Sequence, residues 1–397
     1  MNSVKRLFIS NEICPHCAPH SLNHSFTKYI VRVSSFFFPS PDAIPKYSFG
    51  RLRNVWRLCA DWCADTITRL LLFLRIAKAN PIENVQNILT PHMRLIANEC
   101  SRRRLPLFMV SIFGAPTPRF FITTNNSKRF FDELPIPNGR ERHPFADKAY
   151  VREVLLRHAI PMARGAVLKH FRHAYTYLYV RYTFPLVVKP RYGSLSRHTT
   201  LNIHSTEELR SAIAVAQEID SNFIVEEQVP GNVFRAVLIN GKFVACVRRE
   251  AKHLIGDGIH TVKELAHTVH ASGTLLSSRA LFEIIPKSGE KIYIETKMTG
   301  GHKPVIHDVT DDVHEDIRWL LGRVVTIFAA KLIGIDFIAE DITLPYTKQS
   351  FAILEVNGMP HIALHDNPTT GKSRIVAGPL LDAFLDDNRA SESHPIM

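Results

Sequence analysis

Apolar residues recur along this chain with two periods, and each change of period marks an element. Helical spacing runs through Trp56, Cys59, Cys63, Ile67, Leu70, Leu71 and Leu74, which predicts a helix packed on the body of the protein or, alternatively, one lying on a membrane surface. It returns behind Asp147, a predicted N-cap, with Val151, Val154 and Leu155 on one face. Ser205-Thr-Glu-Glu208 and Thr261-Val-Lys-Glu264 have the form of capping boxes, and Val313 to Leu332 reads as one long apolar-periodic helix. Short apolar, strand-like runs lie between these: Leu107–Ile112, Phe120–Thr123, Val187–Lys189, Phe223–Glu227, Gly334–Ile342 and Phe351–Asn357. No internal repeat is visible.

The pattern divides the chain. Residues 1–84 form a partly helical extension broken by Pro39, Pro41 and Pro45; residues 85–183 form a small α/β unit and a linker helix. Residues 184–385 alternate strands with helices, and 386–397 are a tail.

Candidate chemistry sits at strand ends. In Phe351–Pro360, Glu355 and Asn357 are two apart, so they share a face while Val356 points to the core. A carboxylate and an amide oxygen presented together suit a hard cation such as magnesium; a solvated edge with a turn-forming Asn357-Gly358 is the alternative. If Gly334–Ile342 pairs with this run, Asp336 joins the cluster. Upstream, an apolar strand delivers Lys189 before a loop, where it can act as a point charge toward phosphate oxygens. Lys148, in the first turn behind Asp147, is a second such lysine.

These pieces, in this order from about Leu105 to about Leu385, resemble the ATP-grasp superfamily, and most closely the ATP-grasp domain of cyanophycin synthetase and of bifunctional glutathione synthetase. The likeness runs through Asp147-Lys148, Val187-Val-Lys-Pro190, Phe223–Glu227 with Pro230-Gly231, and Phe234-Arg235. It continues through Gly256-Asp-Gly258, Gly334-Ile-Asp336, Leu354-Glu-Val-Asn357, and His365 with Pro368, Gly371 and Arg374. It implies an α+β ATP-grasp fold with the nucleotide held between two α+β subdomains, after a helical N-terminal extension. It also implies an ATP- and magnesium-dependent carboxylate–amine ligase that forms an amide on an amino acid or peptide through an acylphosphate; Mn2+ could replace Mg2+. By the same resemblance Lys148 and Lys189 meet nucleotide phosphates, and Asp336, Glu355 and Asn357 hold the metal. Arg235 lies beside the reacting phosphate, Arg248 or Arg249 meets the carboxylate substrate, and Glu226 and Glu227 lie where adenine is held.

Two departures from the family pattern matter. In the phosphate loop Gly193 is kept, but Ser196 and His198 stand where glycines are expected; His198 could supply a side-chain donor instead. Two residues before Arg235, where the family often has an acid for the ribose, this chain has Val233. A nucleotide-binding regulatory protein on a decayed ATP-grasp fold, or a phosphotransferase, are therefore the alternative functions. No Mur-ligase-like or glutamate–cysteine ligase region accompanies the resemblance.

Composition changes little. With 397 residues and 45% hydrophobic content, the chain can bury a sizeable core. A net charge of +12 favours anionic partners such as nucleotides or acidic peptides, and no nucleic-acid-binding motif is present. No stretch approaches the ~20 apolar residues of a membrane span, and no signal-peptide pattern is evident, so the expectation is a cytoplasmic protein, with homo-oligomerisation left open. Six cysteines do not make a disulfide framework. Cys14, Cys17, His20 and His24 have spacing compatible with a small zinc site or, alternatively, with an unstructured terminal segment. Cys59, Cys63, Cys100 and Cys246 are expected to pack as small apolar residues.

Overall fold

Three larger antiparallel sheets and one two-stranded sheet organise the described residues. The structure, a computed structural model, describes residues 65–124, 127–137, 145–175, 182–193, 196–268, 283–293 and 304–392. The Cys14–His24 cluster, Cys59 and Cys63 lie outside the described residues.

The amino-terminal unit begins with a helix, α1 (65–73), and a four-stranded sheet: β1 (Ala77–Pro81), β2 (Leu107–Ile112), β3 (Ala115–Thr124) and β4 (Ser127–Asp132) in sequential order. Helix α2 (Pro91–Arg102) crosses between β1 and β2. It starts where Thr90 accepts a hydrogen bond from the Met93 amide and Pro91 fixes the first turn. The expected strands over 107–112 and 120–123 are present, and β1, before residue 85, joins their sheet.

A second unit holds α3 (Lys148–Arg157), β5 (Gly165–Leu168), β6 (Leu186–Pro190), β7 (Thr200–Ile203), α4 (Thr206–Gln217) and β8 (Phe223–Glu227). Its strands pair in the order β5-β8-β6-β7, and α4 packs on them through Leu209, Ala212, Ile213 and Ala216. Ser205 caps α4 as expected: its hydroxyl accepts from the Glu208 amide.

The third unit is a five-stranded sheet. It uses β9 (Asn232–Ile239), β10 (Lys242–Glu250), β13 (Val305–Asp308), β14 (Leu332–Ala339) and β15 (Phe351–Asn357), in the order β13-β10-β9-β14-β15. The β9–β10 turn is Asn240-Gly241, both with positive φ, the tight hairpin its sequence predicts. A small flap, β11 (His253–Ile255) with β12 (Lys291–Tyr293), carries α5 (Val262–Thr268), whose Thr261–Glu264 capping box is reciprocated. Helix α6 (Glu315–Phe328) lies on one face of the large sheet.

Strand periodicity gives that sheet two different faces. Phe234, Ala236, Leu238, Ile333, Ile335 and Phe337 point to α6 and bury there with Ile317, Leu320, Leu321 and Phe328. On the opposite face Val237, Ile239, Ala245 and Leu332 join α2, the first sheet and α7 (Ala377–Glu392) in another core. Further along the same strands, that opposite face turns charged.

Candidate functional site

The charged half of the face is built by register. Asp336 in β14 lies opposite Glu355 in β15 and opposite Arg235 in β9. Cross-strand partners share a face, so the three side chains stand in a row. Arg249, two residues beyond the Arg235 partner Val247, extends the row on β10; its Nη1 lies 3.9 Å from Asp336 Oδ2. From the edge strand inward the charges read Glu355, Asp336, Arg235, Arg249: two negative, then two positive. The expected pairing of the two strand segments is therefore present and brings Asp336 beside Glu355.

Two local irregularities shape the row. Asp336 pairs with Glu355 and Phe337 with Ile353, so Leu354 is an extra, bulged residue. Such a bulge re-aims neighbouring side chains. Gly334, opposite Asn357, is the second: a Cβ there would lie 2.6 Å from Pro360 Cβ and 3.6 Å from Arg235 Cδ. Glycine lets the chain leaving β15 fold back onto the sheet beside Arg235.

Opposite Glu355 lies the second unit. A narrow cleft opens between them, with Lys148, Lys189 and Glu226 among its polar walls and Phe145, Met162 and Ile224 among its apolar ones. Lys189 Nζ donates to Glu226 Oε1 at 2.5 Å. Arg152 Nη1 stands 3.5 Å from the other Glu226 oxygen while Arg152 Nη2 donates to the Ala163 and Gly165 carbonyls. Glu226 is buried, so these cations compensate its charge. Lys148 Nζ donates to the Gly193 carbonyl, which ties the start of α3 to the loop after β6. Burial pushes the Lys148 ammonium below its usual range, while Glu355 holds it up and Lys189 pushes it further down. Glu227 is at the rim, 3.5 Å from Arg164, and accepts from the Thr183 amide.

The structure places each expected residue. Asp147 caps α3 through the Ala149 and Tyr150 amides and also pairs with Arg191 and Tyr192, so it fixes both Lys148 and the loop. Ser196 and His198 adopt φ of 49° and 55°, the left-handed region that favours glycine. That backbone need explains why glycines are expected there. His198 is fully buried, its Nδ1 within 2.9 Å of the Val215 carbonyl on α4. The idea that its side chain serves as a phosphate donor is corrected: it anchors the loop from behind. Arg374 pairs with Asp308 and Asp311 and thereby pins the 366–374 segment against β13.

Sequence reading missed Arg152, His92 and His361. Arg152 lies four residues after Lys148, one helical turn on, which is the signal that could have found it. His92 on α2, His361 after β15 and His365 meet only in the folded chain. His365 is fully buried with neither ring nitrogen hydrogen-bonded, and burial, aided by Arg235, pushes it down to about 3.

The donors on this face fit a hard divalent cation. Glu355 has no side-chain hydrogen bond among the described residues, and the buried Asn357 amide nitrogen has no partner, so its oxygen can turn to a ligand. Asp336 presently gives both oxygens to Arg235 and would share them. Among the described residues no group of three or more His, Cys, Asp or Glu could hold a metal without help. A cation here would therefore need further oxygens from a phosphate or water. None of the described helices is long and apolar enough to cross a membrane.

No family model matches the chain. It is similar to cyanophycin synthetase of Geminocystis herdmanii, 28% identical over 358 residues, which is 82% of this chain and 39% of that protein. The glutathione biosynthesis bifunctional protein GshAB of Listeria welshimeri is 30% identical over 227 residues, 51% of this chain and 29% of that one. The chain thus spans about two fifths or less of the length of these relatives. Among solved structures, a bifunctional glutathione synthetase from Pasteurella multocida superposes with a TM-score of 0.54 at 15% identity, covering 75% of this chain and 43% of that one.

Proposed function

We propose that this chain, whose fold is the ATP-grasp fold, is an ATP- and magnesium-dependent carboxylate–amine ligase acting on an amino acid or peptide. One observation carries the reading: the ordered row Glu355, Asp336, Arg235, Arg249 begins at Glu355, which lines the cleft that holds Lys148 and Lys189. Phosphates entering that cleft meet two lysines on one wall. On the other wall, Asp336, Glu355 and Asn357 would hold magnesium, which supplies charge neutralisation to the transferring phosphoryl group. Arg235 and Arg249 lie beyond the carboxylates, where a substrate carboxylate can be held in line with the terminal phosphate. Its oxygen attacks that phosphorus, the bond to the leaving diphosphate breaks, and an acylphosphate forms. Arg235 steadies the negative charge as it spreads.

The nucleotide end is supported by Lys189, Glu226 and Arg152 converging on one apolar-walled cleft, with Gly193 and Ser196 in the adjoining loop and Glu227 at the rim. A cytoplasmic location belongs to the same reading, since ATP is its co-substrate; Cys100 and Cys246 are buried free thiols. The left-handed Ser196 and His198 favour one rival, a nucleotide-binding regulator that no longer turns over.

Hydroxylamine separates them. It intercepts an acylphosphate as a hydroxamate without any natural amine. Incubation with ATP, magnesium and a panel of amino acids and short peptides should give carboxylate-dependent hydroxamate. Arg235→Ala should lower that rate about a hundredfold or more. ATP binding with neither hydroxamate nor ADP release across the panel would leave the regulator.

A further inference from the structure

Near Arg235 lies a pair of imidazoles that the reading above does not use. His361 leaves β15 through Pro360, which rests on the space Gly334 provides beside Arg235. Its ring is solvent-accessible and meets His92 of α2 edge to face, with centroids 4.4 Å apart and planes at 69°. His92 Nδ1 is buried without a hydrogen-bond partner. The amino-terminal unit thus reaches the site through one side chain.

We propose that His361, positioned by His92, forms the acceptor subsite and takes the proton from the attacking amine. The proposal rests on the ligase reading and adds to it the residue that prepares the second substrate. Three features support it. The imidazole pair lies within electrostatic reach of Arg235 and Arg249, the arginines that would hold the substrate carboxylate. It is accessible, as a subsite must be. It is also kept neutral: partial burial, His92, Arg235 and Arg249 together push His361 down to about 4, and burial lowers His92. His365, the fourth group near it, is neutral as well. A neutral ring has a lone pair to offer an ammonium group. Negative charge arriving with the acylphosphate raises its proton affinity when it is needed.

The chemistry balances. The acceptor enters as R–NH3+ and gives one proton to His361. The amine nitrogen attacks the acyl carbon, the carbon–nitrogen bond forms, and the carbon–oxygen bond to phosphate breaks with its electron pair. The second N–H proton leaves with phosphate, and His361 returns its own proton to solvent.

Two acceptors test this. Hydroxylamine is uncharged near neutral pH and needs no base, whereas α-amino groups lose their protons only around pH 8. Wild type, His361→Ala, His361→Gln and His92→Ala are compared with ATP, magnesium and a carboxylate that yields hydroxamate. The amine acceptors are the twenty amino acids. Both His361 variants should keep hydroxamate formation close to wild type, which also shows that they fold, and lose amide formation about a hundredfold. The amide rate should recover as pH is raised. His92→Ala should show a smaller loss with the same pH rescue. Parallel loss of hydroxamate and amide, unchanged amide formation, or full amide formation by His361→Gln overturns the proposal. So does a wild type that makes hydroxamate but couples no amine. A wild type that makes no hydroxamate from any carboxylate removes the ligase reading itself, and this proposal with it.

Discussion

The two faces of the five-stranded sheet come from the same residues' strands, yet they do opposite things. The α6 face is apolar through the middle of β9 and β14, with Phe234 and Phe337 stacked at 5.4 Å and both buried. The other face is apolar only where α2 and α7 cover it, and then carries four charges in a row. One side chain apart along a strand, the sequence changes from packing to chemistry. The difference shows how a sheet can hold charges rigidly: the buried face fixes the backbone, and the open face inherits that precision.

The comparison can be broken in order of effect. Phe337→Ala removes a fully buried ring from the α6 face and should cost about 3–5 kcal/mol of stability, read by denaturant unfolding. Loss of less than about 1 kcal/mol would mean that face is not the anchor. Glu355→Gln, on the open face, should leave the unfolding midpoint nearly unchanged while lowering the proposed ligase turnover about a hundredfold or more, since the proposal gives Glu355 a metal-holding charge. Wild-type turnover would take Glu355 out of the site. Ser196→Gly should act least: it relieves a left-handed serine worth about 1 kcal/mol and tightens ATP binding by a fewfold, read by calorimetry. Weaker binding would show that the serine side chain, rather than the backbone, meets the nucleotide.

Much of this was legible before folding because it is local. Capping by Asp147, Ser205 and Thr261 and the Asn240-Gly241 turn follow from short-range patterns, whereas the pairing of Gly334–Ala339 with Phe351–Asn357 entered the sequence reading only as a condition. The position of His198 did not follow, because its burial depends on α4, about 17 residues away at Val215. The Leu354 bulge is a register choice that alternation alone does not reveal. The meeting of His92 with His361 requires two separate units to dock. No spacing rule encodes such a contact.

The docking of α7 on α2 has a consequence in time. Arg103, just past α2, binds Asp382 on α7 across 279 residues of sequence. At about 5–20 residues per second, synthesis leaves the apolar side of α2 waiting tens of seconds for that cover. During that interval Met93, Ile96 and Cys100 lack Leu380, Leu381 and Phe384, which complete their core. The amino-terminal unit is therefore made early and finished late.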